Sequence, residues 1–346
     1  MRVTSGLQLS VLAALGLLGA ACASPGAPLA PALVEERRLA MGSELHLTAY
    51  TDDAPRARAA FAAAFAEVAR LEGLLSTWRP ASDVSRLNAA AGGAPVPVHA
   101  ETRAVLRAAA RVSAWTEGKF DVTFGALAEI WKFDHDQDNR VPSAAGIAAR
   151  LPRVDYRRVV IDDAAGTVAI TRPDMRVHLG GIGKGYAVDA AVTILRAAGL
   201  RDFMVQFGGD LYVAGTAGAS AWRLGIQDPR GAPDDPFAVL ELSDATFSTS
   251  GDYERYFEQD GVRYHHILDP GTGEPARGTR SVTIVTKEAL WADGLSTGVF
   301  ILGPERGMAL VERLPDVEAV IVTAENEVLV STGLRDRLIV RRPPTP

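Results

Sequence analysis

The chain has 346 residues, 47% hydrophobic and 23% charged, a composition able to bury the core of one large domain or two ordinary ones. Lys and Arg total 36 against 42 Asp and Glu, a net charge of −6, and the cations form no block, which argues against nucleic acid as a partner. The single cysteine, Cys22, excludes an intramolecular disulfide, so packing must hold the fold.

Met1-Arg2-Val3 leads into an apolar run from Leu7 to Ala21, followed by Cys22-Ala23-Ser24-Pro25. A short basic start, an apolar stretch and small residues predict a secretory signal over residues 1–21, and hence export. The run is too short and too rich in Ala and Gly for a spanning helix. Leu18-Gly19-Ala20-Ala21-Cys22 resembles a bacterial lipoprotein cleavage box, which predicts a lipid on Cys22 and attachment to the membrane. A plain secretory signal with an incidental cysteine is the alternative. Residues 22–36, rich in Pro and Ala, are expected to be a flexible spacer, and residues 37–342 the folded domain.

Within that domain, Leu45, Leu47 and Ala49 alternate as in a strand. Pro55 then opens a helix with Phe61, Phe65, Val68, Leu71 and Leu75 on one face. A second helix is predicted from about Ala100 to Glu117, with Gly118 as its stop. Arg157 to Thr171 reads as a hairpin, Met175 to Leu179 as a short strand, and Tyr186 to Leu200 as a third helix. Strands follow at Phe203–Phe207, Leu211–Ala214, Trp222–Ile226, Phe237–Leu242 and Ser281–Val285, then a helix over Trp291–Leu302 and a hairpin turning at Glu325-Asn326. Without a strict βαβ rhythm, this order predicts an α+β fold with largely antiparallel sheets.

The densest chemical feature is His178-Leu179-Gly180-Gly181-Ile182-Gly183-Lys184-Gly185-Tyr186, between a strand and a helix. Glycines let the backbone approach a ligand closely, and the helix start and Lys184 supply positive charge, a combination suited to a phosphate or pyrophosphate. It is neither a P-loop nor a dinucleotide fingerprint. A tight turn with an exposed lysine is the plainer reading of the cluster by itself. Gly208-Gly209-Asp210 alone is only a turn signal.

Asp293 and Thr297 lie four apart, so a helix would put two hard oxygens on one face, enough for Mg2+ when substrate phosphate and water complete the shell. From spacing alone, the polar face of a surface helix is the plainer reading. Asp134-His135-Asp136-Gln137-Asp138-Asn139 begins like a calcium loop, but Asn139 stands where a glycine is required, so a solvated loop is expected. Of the adjacent His265 and His266, at most one can face a given site from a strand, and no zinc spacing accompanies them. Ser248-Thr249-Ser250 lacks the framing of a serine-hydrolase elbow and reads as a substrate contact or a turn.

Taken together, these segments resemble the ApbE family of FAD:protein FMN transferases. The likeness runs from Met41-Gly42-Ser43 to about Gly307. It rests on LSTWRPASDVSRLN from Leu75, FDVTFGAL from Phe120, GGIGKGYAVD from Gly180, FGGDLYVAG from Phe207, STSGDYERYF from Ser248, HHILDPGTGEPA from His265 and ADGLSTGVFILG from Ala292. The resemblance implies an ApbE-like, T-fold-like arrangement of sheets flanked by helices. It implies FAD as substrate, in contact with Met41, Trp78, Phe120, Asp121, the position of His178, Lys184 and Ile267. Mg2+ would be held by Asp293, Thr297 and the backbone carbonyl of Gly181, with Lys184 on phosphate oxygens. His266 matches the histidine implicated in transfer. The implied acceptors are flavin-carrying subunits of respiratory complexes on the periplasmic side of the inner membrane, joined to FMN through a threonine phosphoester. His178 departs from the family, which commonly has an acid there. Hydrolysis of FAD to FMN and AMP, and a flavin-binding lipoprotein without chemistry, are the competing readings.

Overall fold

The computed structural model describes residues 31–134, 136–232 and 235–346. The predicted signal, Cys22 and residues 22–30 of the predicted spacer lie outside the described residues. Residues 31–346 form one compact unit. Among the described residues, no helix is long and apolar enough to cross a membrane.

In chain order the first half comprises β1 (Ala32–Ala40), β2 (Ser43–Thr51), α1 (Ala54–Leu75), α2 (Asp83–Ala89), β3 (Val96–Pro97), α3 (Ala100–Trp115), α4 (Gly125–Ala128), α5 (Ala144–Ala148), β4 (Val159–Asp162) and β5 (Thr167–Ile170). Next come α6 (Gly183–Ala197), β6 (Asp202–Phe207), β7 (Asp210–Ala214), β8 (Trp222–Gln227), β9 (Pro236–Leu242) and β10 (Ala245–Gly251). The chain ends with β11 (Tyr256–Gln259), β12 (Val262–His265), β13 (Thr279–Thr286), α7 (Ala289–Leu302), α8 (Pro304–Val311), β14 (Glu318–Thr323), β15 (Val328–Val330) and β16 (Leu338–Val340).

The backbone of the fold is an eight-stranded sheet in the order β1-β2-β6-β7-β10-β13-β14-β15. Every neighbouring pair in it is antiparallel. This is the expected α+β class. Each strand alternates faces, so one sheet can carry two cores. On one side, α1, α3, α6 and α7 bury their apolar residues against Leu45, Phe203, Val205 and Phe207. On the other, the small sheet β16-β9-β8 packs Trp222, Ile226 and Phe237 against Val213, Phe247 and Val322.

Local chemistry explains the principal helices. Asp53 accepts the Arg56 N–H at 3.0 Å and caps α1, and the face predicted from periodicity is the buried one. Helix α7 is buried nearly all round, as a helix that is apolar all round must be. Its start is capped by another helix: Asp189 of α6 accepts the N–H groups of Ala289 and Leu290 at 2.8 and 2.9 Å.

Two boundaries differ from the sequence reading. Strand β1 begins at Ala32, so residues 32–36 of the predicted spacer pair with β2 instead. On this edge strand only Val34 is fully buried, so no hydrophobic alternation marks it. The folded unit also extends past 342, because Asp228 accepts the Thr345 N–H at 3.0 Å and Asn326 donates to the Pro344 carbonyl at 2.7 Å. The predicted strand over Met175–Leu179 is irregular, with a single parallel bridge from Phe124 to Arg176.

Candidate active site

A cleft of about 940 Å3 opens where the β1–β2 turn, the loop after α1, the start of α6 and the middle of α7 converge. That volume lies in the range of cofactor-sized pockets. Every position that the family resemblance implies for FAD, Mg2+ or transfer lines it: Met41, Trp78, Phe120, Asp121, His178, Gly181, Lys184, His266, Ile267, Asp293 and Thr297.

One wall is polar. Lys184, on the first turn of α6, forms an ion pair with the buried Asp210, and Asp293 lies close enough to add to its field. Burial alone would lower the Lys184 ammonium, but these two carboxylates reverse that and hold it charged, above its ordinary range. Asp293 is buried on α7 and accepts the Gly185 N–H at 2.9 Å. Burial, and then the Asp210 charge, push its carboxyl up to about 7 against the pull of Lys184. Two carboxylates around one ammonium leave an ionised Asp293 short of positive charge.

This crowding depends on close helix packing. A Cβ on Gly185 would stand 2.2 Å from the Ala289 carbonyl oxygen and 2.8 Å from the Asp293 Cβ. Only glycine lets α6 start against α7, which sets Lys184 and Asp293 side by side.

Thr297 lies one turn along α7 from Asp293, as the spacing predicted. Its Oγ1 is 3.2 Å from Ser250 Oγ and would be 3.4 Å from a Cβ placed on Gly181. A carboxylate, a hydroxyl and the Gly181 backbone thus share one wall. All are hard oxygens, the donor set that suits Mg2+. Among the described residues, no three His, Cys, Asp or Glu side chains gather to hold a metal without help. A cation here would draw its remaining ligands from phosphate and water.

The lining also includes His266 and Ile267, together with Trp131 and Phe133 of an aromatic cluster in which Trp131 lies 5.8 Å from Phe133 and Phe133 5.7 Å from Phe257. His266 lines the cleft, and its Nδ1 is buried without a hydrogen-bond partner among the described residues. Burial, followed by the Arg255 charge, holds this imidazole well below its ordinary range, hence neutral. His265 points away from the cleft: Ile267 N–H donates to its Nδ1, and its Nε2 donates to the Ala276 carbonyl at 2.9 Å. One histidine of the pair enters the site: His265 ends β12 and His266 sits in the bend that follows.

The remaining positions divide by what they offer. Trp78 stands at the rim, 59% exposed, whereas Phe120 and Ile267 are buried in the wall. Met41 sits at φ +43° in the β1–β2 turn. Both Asp121 oxygens are engaged within the protein, accepting from Thr123 N–H and hydroxyl at 2.8 and 2.6 Å and from Tyr156 N–H at 2.8 Å, so Asp121 shapes the wall rather than offering a free oxygen. His178 Nδ1 accepts the Gly180 N–H at 3.1 Å, which places the proton of the neutral ring on Nε2.

Several lining groups were not legible in sequence. Asp210, read as a turn residue, is the partner of Lys184 and accepts from Ser248 Oγ at 2.5 Å. Ser248 and Ser250 belong to β10 rather than to a turn, and Ser250 Oγ lies 2.8 Å from Ser296 Oγ. Asp134, expected in a solvated loop, forms an ion pair with Arg255 at the cleft. Asp210 is buried and Lys184 half-buried, and no local pattern in the sequence pairs the two.

Comparison with known proteins identifies the family and the fold. The ApbE family model matches residues 41–321, and the chain belongs to the ApbE family. A protein of Treponema pallidum called FAD:protein FMN transferase is 35% identical over 302 residues, 83% of each chain. The crystal structure of the ApbE protein of Thermotoga maritima superimposes with a TM-score of 0.81 at 34% identity, covering 88% of this chain and 99% of that one. The flavin transferase ApbE of Vibrio cholerae gives 0.80 at 28% identity, over 89% and 99%.

Proposed function

We propose that this protein transfers the FMN half of FAD to a threonine of acceptor flavoprotein subunits, with AMP as the leaving group and Mg2+ as the required cation. The observation that carries the reading is the polar wall itself, where Lys184, Asp210, Asp293 and Thr297 converge in the same cleft of about 940 Å3 that the neutral His266 lines.

The acceptor threonine Oγ would bond to the FMN-side phosphorus as the bond from that phosphorus to the bridging oxygen breaks, and AMP departs with that oxygen. The hydroxyl proton would pass to the unprotonated ring nitrogen of His266, which a neutral imidazole supplies. Lys184, held charged by its carboxylate neighbours, would bind a phosphate oxygen and favour the charge that builds up during transfer. Asp293, Thr297 and the Gly181 carbonyl would hold Mg2+, which when bound supplies charge neutralisation at the pyrophosphate. Trp78 at the rim offers a ring face for flavin or adenine. The lipoprotein-like Cys22 box supports anchoring on the periplasmic side of the inner membrane, near respiratory-complex acceptors; mass spectrometry of the mature N-terminus tests it.

Incubation with FAD, Mg2+ and an acceptor carrying the target threonine tests the activity. Flavin fluorescence that stays with the acceptor through denaturing electrophoresis is the expected result. Free FMN plus AMP without labelled acceptor would instead mean hydrolysis, and unchanged FAD would mean a carrier without chemistry.

A further inference from the structure

A second cavity, of about 200 Å3, lies behind the segment that carries His266. His265 lines this cavity while His266 lines the main cleft, so the two spaces occupy opposite faces of one strand end. Its lining is unusual in charge. Arg230, Arg263, Arg277 and Arg280 surround it, and Asp252 is the only carboxylate in the lining.

Asp252 is shared: Arg230 Nη1 and Nη2 donate to its two oxygens at 2.7 Å each, and Arg263 Nη1 lies 3.7 Å from one of them. Arg263 turns toward Glu258 at the exterior, with Nη2 at 3.0 Å. Arg277 uses only Nη1, on the Arg263 carbonyl at 2.7 Å, and Arg280 only Nε and Nη1. The Nη2 groups of Arg277 and Arg280 therefore have no partner among the described residues. Burial and the adjacent Arg230 and Arg263 charges hold the Arg280 guanidinium below its usual range, the mark of cations crowded without enough anions. Thr279, 4% exposed in the same lining, has a buried hydroxyl without a hydrogen-bond partner among the described residues.

We propose that this cavity binds a small tetrahedral oxyanion of the phosphate class, separately from the catalytic cleft. Planar guanidinium forks match tetrahedral oxyanions, and a dianion would neutralise most of the excess charge of the lining. The volume suits a free oxyanion and is too small for a dinucleotide. His265 is the one aromatic ring in the lining and is only 3% exposed, so little aromatic face is left to receive a base.

Calorimetric titration of the whole protein with inorganic phosphate, at constant ionic strength against chloride, tests this. Saturable binding is expected, weakened at least tenfold by Arg277→Gln and less by Arg277→Lys, which keeps the charge but loses the guanidinium fork. Arg277 is exposed, so its replacement leaves the fold intact. Arg255→Gln, which alters a guanidinium of the main cleft, should leave the affinity within twofold. Binding that survives Arg277→Gln, or that is lost with Arg255→Gln alone, would overturn the proposal, as would the absence of saturable binding.

Discussion

Asp293 shows why a single side chain in this site has two separable consequences. Its carboxyl is buried beside Asp210, an arrangement that disfavours its charge in the empty protein and attracts a cation. Asp293→Asn should therefore leave the metal-free melting temperature at pH 8 unchanged or raised, while abolishing the rise that Mg2+ produces and lowering transfer by roughly 100-fold or more. Differential scanning fluorimetry with and without Mg2+, beside the acceptor assay, reads both; a normal Mg2+ response in the variant would remove Asp293 from the metal site. Trp78 should behave differently. A ring that stacks equally on substrate and transition state affects binding only, so Trp78→Ala should raise KM for FAD about 2- to 10-fold at nearly unchanged kcat. These residues were legible because their motifs stand in a distinctive order along the chain. Asp210 was not: its role comes from an ion pair with a lysine 26 positions away, and nothing in Gly208-Gly209-Asp210 marks a buried anion.

At the scale of elements, the site is the junction of α6 and α7. The helices are stitched at both ends of the contact, by Asp189 on the first N–H groups of α7 and by Gly185 N–H on Asp293. Gly185→Ala would drive a methyl into the Ala289 carbonyl, so the helices must separate and carry Lys184 away from Asp293. A stability loss of about 1–3 kcal/mol or more is expected, with transfer activity falling further than the remaining folded fraction explains. Thermal melts paired with single-turnover rates check this; a variant with both values normal would show that the close approach is dispensable. Periodicity revealed the helices because each buries a single stripe or, for α7, everything. It failed at β1, where charged residues on an edge strand conceal the pairing, and at Met175–Leu179, where an apolar run is buried by loop packing instead of by a sheet. Their positions depend on partners far along the chain, and local pattern carries no trace of those.

Across the whole molecule, the antiparallel class was legible from the succession of hairpins, but the layering was not. Opposite faces of one sheet bury separate cores, and the strand end at His265–Ile267 separates the main cleft from the arginine-lined cavity. The position of His265 between them has a consequence for global stability. Burial holds its imidazole down to about 4 despite the Asp252 charge, while its unfolded value is the ordinary 6.5. Between these two values the unfolded chain takes up a proton that the folded protein refuses. Stability must therefore fall as pH drops from 6.5 toward 4, by up to about 3 kcal/mol from this group. Asp228 acts lower on the scale: hydrogen bonds from Arg342 and Thr345 outweigh burial and hold it at about 2, so its contribution is complete above 3.8 and lost only below that. The two windows separate cleanly. Urea denaturation at pH 7.0 and 4.5 should show a marked loss of stability at the lower value in the native protein. His265→Gln keeps a donor for the Ala276 carbonyl but removes the titration, and should lose much less between the same two values. An equal loss in both proteins would show that the acid sensitivity arises elsewhere in the fold.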